Sequence, residues 1–168
     1  MEYRRIQASD RAALQAFADR IPRGDRSFFD RVLLHQVAVA GWTMAVPARR
    51  SVAVDGDDIV GLVTVVPGAG WTQHVGELRP VVQPDRRGLG VGRTLVHIGL
   101  DLARELALEK VTVEVMASNR GAIAMFEAVG FVQEACLGGQ VRDGEQNLQD
   151  LLVLSLWLDK VTTDGAPV

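Results

Sequence analysis

The chain has 168 residues, 48% of them hydrophobic and 23% charged, and a formal net charge of −3 at pH 7. These values suit one folded domain and exclude both a disordered chain and a global basic field for nucleic acid. One cysteine, Cys136, and three scattered histidines, His35, His74 and His97, exclude an internal disulfide and a cysteine-rich zinc site, so no metal is expected. No apolar run is long enough to span a bilayer and residues 1–6 lack a signal-peptide core, so the expectation is a soluble cytoplasmic protein with no membrane partner.

In chain order, residues 3–6 read as a first strand. Ser9 is placed to cap a helix whose apolar face carries Leu14, Phe17, Ala18 and Ile21, broken by Pro22-Arg23-Gly24-Asp25. A second helix is expected over 27–40, then a loop over 45–50. Residues 51–55 and 59–66 form a hairpin around Gly56-Asp57, and 74–82 the next strand. Residues 90–108 have helical periodicity, with Val91, Leu95, Ile98, Leu102 and Leu106 on one stripe. A short strand over 111–115, a helix over 120–129 ended by Gly130, and two strands over 131–141 and 148–158 complete the domain. Residues 159–168 read as a frayed tail beyond a domain of 1–158. Hairpins at both ends and a strand–helix–strand crossover in the middle argue for α/β with a mixed sheet.

Between strand and helix stands Arg86-Arg87-Gly88-Leu89-Gly90-Val91-Gly92-Arg93. Glycines allow close backbone approach, and a helix start offers free N–H groups to an anion. The alternating glycines and flanking arginines favour a diphosphate cradle over a turn serving chain reversal alone. A Walker loop is excluded, since no Gly-Lys-Ser/Thr follows, and a dinucleotide fingerprint fails where Arg93 stands in place of its third glycine.

Arg87-Gly88-Leu89-Gly90-Val91-Gly92 resembles the Arg/Gln-x-x-Gly-x-Gly/Ala signature of the GNAT family of N-acetyltransferases. Val81-Val82-Gln83-Pro84 before it resembles the family's strand ending in Val-x-Pro. Glu114 to Asn119 and Ala122 to Phe131 are similar to its second half, nearest to N-terminal alanine acetyltransferases of ribosomal proteins. The resemblance implies a single domain built on a mostly antiparallel twisted mixed sheet flanked by helices. It also implies transfer of an acetyl group from acetyl-CoA to a primary amine of a small molecule or a protein.

On that resemblance, Arg87, Gly88, Leu89, Gly90, Val91, Gly92, Arg93 and Thr94 hold the CoA diphosphate. Val81, Val82 and Gln83 pair with its pantetheine arm, a backbone N–H near Val82 faces the thioester oxygen, and Asn119 and Phe126 touch the cofactor. Three side chains stand as general base, in the order Glu114, Glu77, His74. The family's Asn-x-x-Ala-x-x-x-Tyr ends here in Phe126, which cannot protonate a leaving thiolate. A catalytically weak acyl-CoA-binding sensor therefore remains the alternative. Acceptor specificity is expected from Arg23, Asp25, Arg26, Phe28, Phe29, Trp42, Trp71 and the turn over 142–145. Cys136 is expected to be a small core residue, and a homodimer remains open.

Overall fold

The computed structural model describes residues 1–22 and 48–158. The expected helix over 27–40, the acceptor-side residues Arg23, Asp25, Arg26, Phe28, Phe29 and Trp42, and the tail over 159–168 lie outside the described residues.

The strands are β1 (Glu2–Arg5), β2 (Arg49–Asp55), β3 (Asp58–Pro67), β4 (Val75–Val82), β5 (Lys110–Met116), β6 (Val132–Arg142) and β7 (Leu148–Trp157). The helices are α1 (Arg11–Arg20), α2 (Val91–Glu105) and α3 (Arg120–Val129). One seven-stranded sheet has the order β1-β2-β3-β4-β5-β7-β6, antiparallel except where β4 meets β5. The parallel pair follows from the crossover through α2, because a hairpin cannot join parallel neighbours. The expected mixed, mostly antiparallel α/β sheet is thus present.

Two cores cover the two faces. Val91, Leu95, Val96, Leu100 and Ala103 of α2 and Phe126 of α3 pack with Val63, Val65, Leu78, Val111 and Val113. On the opposite face Leu14 and Phe17 of α1 pack with Val52, Ile59 and Leu62. Ile59 to Val65 is buried throughout, as a central strand covered on both faces requires. Gly99 marks the closest approach of α2 to the sheet: a β-carbon there would lie 2.2 Å from Leu78 Cδ1 and 3.0 Å from Val63 Cγ2. Gly99→Val is expected to cost about 2 kcal/mol through overpacking, read from a urea midpoint. An unchanged midpoint would mean that α2 lifts off the sheet freely.

Three local readings are corrected. Ser9 does not cap α1: it lies in a 3-10 turn, Ala8–Asp10, and Asp10 makes the contacts. Asp10 accepts from both terminal nitrogens of Arg4 at 2.7 Å and from the Gln7 backbone N–H at 2.7 Å, tying β1 to the helix start. The crossover helix α2 ends at Glu105 rather than Leu108. Ala107 turns left-handed at φ 55°, the Leu108 N–H reaches the Ala103 carbonyl and the Ala107 N–H reaches that of Arg104. This is a Schellman end without its usual glycine, which hid it in the sequence. Cys136 is exposed, because β6 lies at one edge of the sheet among the described residues and buries little of either face.

The buried Asp10 carboxylate makes a stability prediction. The Arg4 hydrogen bonds hold its carboxyl below the ordinary range against the opposing effect of burial, with the Gln7 N–H helping. Asp10→Asn is expected to cost about 2 kcal/mol at pH 7, less than a fully buried pair because Arg4 stays partly solvated. A depressed carboxyl stabilises the fold fully above its unfolded value of about 3.9, and the advantage fades as pH falls through the lower folded value. The gap between wild type and variant should therefore close toward acid; a gap independent of pH would count against this ion pair.

Candidate active site

β4 and β5 share only three parallel pairs, Val75↔Lys110, Gly76↔Val111 and Glu77↔Thr112. Beyond Glu77 they part, while β5 stays paired to β7 as far as Met116. On its other side β4 remains bonded to β3, where the Gln83 N–H donates to the Val60 carbonyl at 3.0 Å and the Gly68 N–H to that of Val75 at 2.8 Å. Antiparallel alternation then turns the backbone groups of Leu78, Pro80 and Val82 toward the β5 side. Pro80 has no N–H to extend a ladder there, which favours the separation. The Val82 N–H is thereby aimed into the gap, and the Val82 carbonyl accepts from Arg87 Nε at 3.2 Å.

The turn from β4 into α2 stands at the head of this gap. Gly88 and Gly90 have φ of 75° and 83°, and the space beside each of their α-carbons is open. Among the described residues no acceptor meets the N–H groups of residues 88–93; the first to be bonded is Thr94, whose N–H and hydroxyl both reach the Gly90 carbonyl. A row of free donors at the positive end of a fifteen-residue helix suits an anion. Arg93 is exposed beside it. Arg86 is drawn away: its Nη1 lies 2.8 Å from Asp55 on the β2–β3 hairpin, so the expectation that it adds charge to the cradle is corrected. Gly92 faces Met125 Sδ of α3, where a β-carbon would lie at 3.4 Å, so α3 closes over the first turn of α2.

Glu114 projects from β5 with an exposed side chain that has no hydrogen bond or ion pair among the described residues. Partial burial beside the sheet face is the main cause that raises its carboxyl above the ordinary range. The charge of Glu77 raises it further, and Arg79 acts in the opposite direction. Glu77 is engaged, holding Arg79 Nε at 2.7 Å and Nη2 at 2.6 Å. His74 precedes β4 at the end opposite the cradle, eight residues or about 26 Å of strand from Val82. Its carbonyl serves to anchor Glu109 and Lys110.

The remaining expected contacts divide. Asn119 caps α3, its Oδ1 accepting from the Ala122 N–H at 3.2 Å. Gln83 is buried and donates its side-chain amide to the Ile59 carbonyl. Val81 joins the α1 face of the sheet, whereas Val82 packs with the α2 face. Leu89 is exposed at the cradle rim. Phe126 is 4% exposed, with its ring edge-on to Phe131 at 5.4 Å. Trp71 is 99% exposed, in the turn between β3 and β4 and remote from the cradle, as His74 is. The turn over 142–145 is organised by Asp143, which accepts from the Glu145 and Asn147 backbones. Sequence reasoning missed Pro80, for which a proline inside an otherwise regular strand was the available signal; the pairing of Glu77 with Arg79 was open to it as the bland reading of Glu77.

Known proteins resemble this chain at two levels. A model of the Acetyltransferase (GNAT) family matches residues 13–131. A mycothiol acetyltransferase of Geodermatophilus obscurus is 36% identical over 93 residues, 53% of this chain and 30% of that protein. A spermidine N(1)-acetyltransferase of Vibrio cholerae is 31% identical over 91 residues, 53% of this chain and 52% of that protein. A streptothricin acetyltransferase of Streptomyces lavendulae is 33% identical over 106 residues, 60% of this chain and 56% of that protein. The chain thus spans little more than half of these relatives' length at most.

In fold, the crystal structure of a ribosomal-protein-alanine N-acetyltransferase from Brucella melitensis superposes with a TM-score of 0.72 at 22% identity. It covers 94% of this chain and 100% of that one. A probable acetyltransferase from Staphylococcus epidermidis gives 0.76 at 17% identity, covering 93% and 98%. Among the described residues no helix is long and apolar enough to cross a membrane. The family model takes in most of the chain, including the glycine turn, and the chain belongs to the Acetyltransferase (GNAT) family.

Proposed function

We propose that the protein is an acetyl-CoA-dependent N-acetyltransferase acting on a primary amine of a small molecule or a peptide. The observation that carries the reading is a juxtaposition: the free N–H groups of residues 88–93 lie at the head of the β4–β5 gap, into which the Val82 N–H points. Bound there, acetyl-CoA would supply an electrophilic thioester carbonyl. Gly88, Gly90 and the start of α2 receive the diphosphate, with Arg87 and Arg93 adding charge. The Val82 N–H offers a fixed donor to the oxygen on which negative charge grows.

Glu114 takes the proton from the amine. Extending the register from Glu77↔Thr112, it lies level with Arg79, three residues or about 10 Å along the strand from Val82. Its side chain and a bridging water together cover that distance. Glu77 is occupied by Arg79 and His74 lies at the wrong end of the strand, so both rank below it. Phe126 is buried and lacks a hydroxyl, so the thiolate departs without a proton from this position; a thiol of pKa about 8.5 is a fair leaving group. The same residue favours the second reading, an acyl-CoA sensor with little turnover. A cytoplasmic site of action fits a chain with a single cysteine.

Purified protein mixed with acetyl-CoA and a panel of amines and peptides, followed by release of free thiol, decides between them. Amine-dependent thiol release supports the transferase. Tight binding without release on any acceptor supports the sensor.

A further inference from the structure

Two carboxylates and one guanidinium meet on the sheet face beside the gap, and only one of the carboxylates is tied down. Arg79 spends Nε and Nη2 on Glu77, a side-on grip by two parallel hydrogen bonds within a single strand. Glu114 stands across the parallel pair, close enough to feel both charges, and its carboxylate has no partner of its own among the described residues. A carboxylate next to an arginine ordinarily closes on it, because a bidentate pair is the favoured geometry of both groups. Here that geometry is already taken.

We propose that Glu77 is a positioning residue: by occupying Arg79 side-on it keeps the guanidinium off Glu114, which leaves Glu114 unpaired and able to accept a proton. The inference rests on Glu114 being the base and assigns Glu77 a role other than proton transfer. The groups that face Glu114 in the described residues are few. β4 contributes Glu77 and Arg79. β7 places Val153 opposite Glu114, flanked along that face by Leu151 and Ser155, none of them charged. The other charge on β5, Lys110, is held by Glu134 of β6 at 2.7 Å. The balance at Glu114 is therefore set first by its partial burial and then by its β4 neighbours, Glu77 and Arg79.

Opposite consequences follow for the two partners. In Glu77→Gln the repulsion is gone and with it the side-on carboxylate that faces Arg79 away, so the Glu114 carboxyl should titrate lower, by about one pH unit. In Arg79→Gln the attraction is gone and Glu77 stands bare, so it should titrate higher. The double variant should fall between them, and Glu77→Asp should return part of the way to wild type.

The test is a carbon-13 NMR titration of the Glu114 carboxyl in each full-length variant, run beside the acid limb of kcat/KM. Opposite displacements in the two single variants, with the acid limb following them, support the proposal. Displacements of the same sign, or none, overturn it, since a purely structural contact would lower rates without moving the titration oppositely. The NMR readout needs no turnover. If the carboxyl moves as expected while the acid limb stays in place, the assignment of Glu114 as base fails and the arrangement around it stands.

Discussion

Gly90→Glu is expected to weaken coenzyme A binding at least about 100-fold, or roughly 3 kcal/mol. Three effects act together. Gly90 sits at φ 83°, where a side chain is strained, and the space beside its α-carbon is open, so the new carboxylate projects into the mouth of the cradle. There it can satisfy the free N–H groups of residues 88–93 itself, in place of a diphosphate. It also puts a negative charge where Arg87 and Arg93 would otherwise face the ligand. Gly90→Ala separates strain from charge. It should lower stability by about 1 kcal/mol while costing far less affinity, as seen by calorimetry and thermal unfolding in parallel. A Gly90→Glu protein that is folded and binds coenzyme A as wild type does would remove the cradle from this turn, and the transferase reading with it.

The second large effect is expected at Glu114. Glu114→Gln keeps the shape and removes the proposed base, so kcat/KM near neutral pH should fall by about 10²- to 10⁴-fold, the usual worth of a positioned proton acceptor. The affinity for acetyl-CoA should hardly change, because on the proposed reading the diphosphate lies at the other end of the gap. In the wild type the acid limb should lie above the ordinary carboxylate range, since burial and Glu77 both raise this carboxyl and Arg79 only partly offsets them. The same limb should vanish in the variant. Raising the pH toward the amine's own pKa, about 10.4 for a lysine-like acceptor, should restore much of the variant's rate, because the amine then arrives already deprotonated. A variant with wild-type turnover and an unmoved acid limb would assign the base elsewhere.

The order of the described elements could be read from the chain because each was marked locally. Alternation and β-branched runs marked the strands, the Val91-to-Leu102 stripe marked the long helix, and Gly130, left-handed at φ 110°, marked the end of the last helix. The glycine turn was legible for the same reason: alternating glycines at a strand-to-helix junction have few other uses. Local marks failed where a long-range partner decided the outcome. Arg86 looked like part of the cradle until Asp55, thirty-one residues earlier, drew it to another hairpin. Cys136 looked like core until its strand proved to be the sheet edge.

By itself the sequence determined the order of the described elements, the glycine turn and the family those signs point to, since propensity, periodicity and turn chemistry act over a few neighbouring residues. Only the tertiary structure decided which titratable groups share a space. Glu77, Arg79 and Glu114 come together because β4 and β5 lie parallel with Glu77 level with Thr112, and His74 falls away because the same strand carries it to the far end. Charge interactions depend on distance through space, and the thirty-four residues between Arg79 and Glu114 hold no record of that distance until the crossover helix has packed.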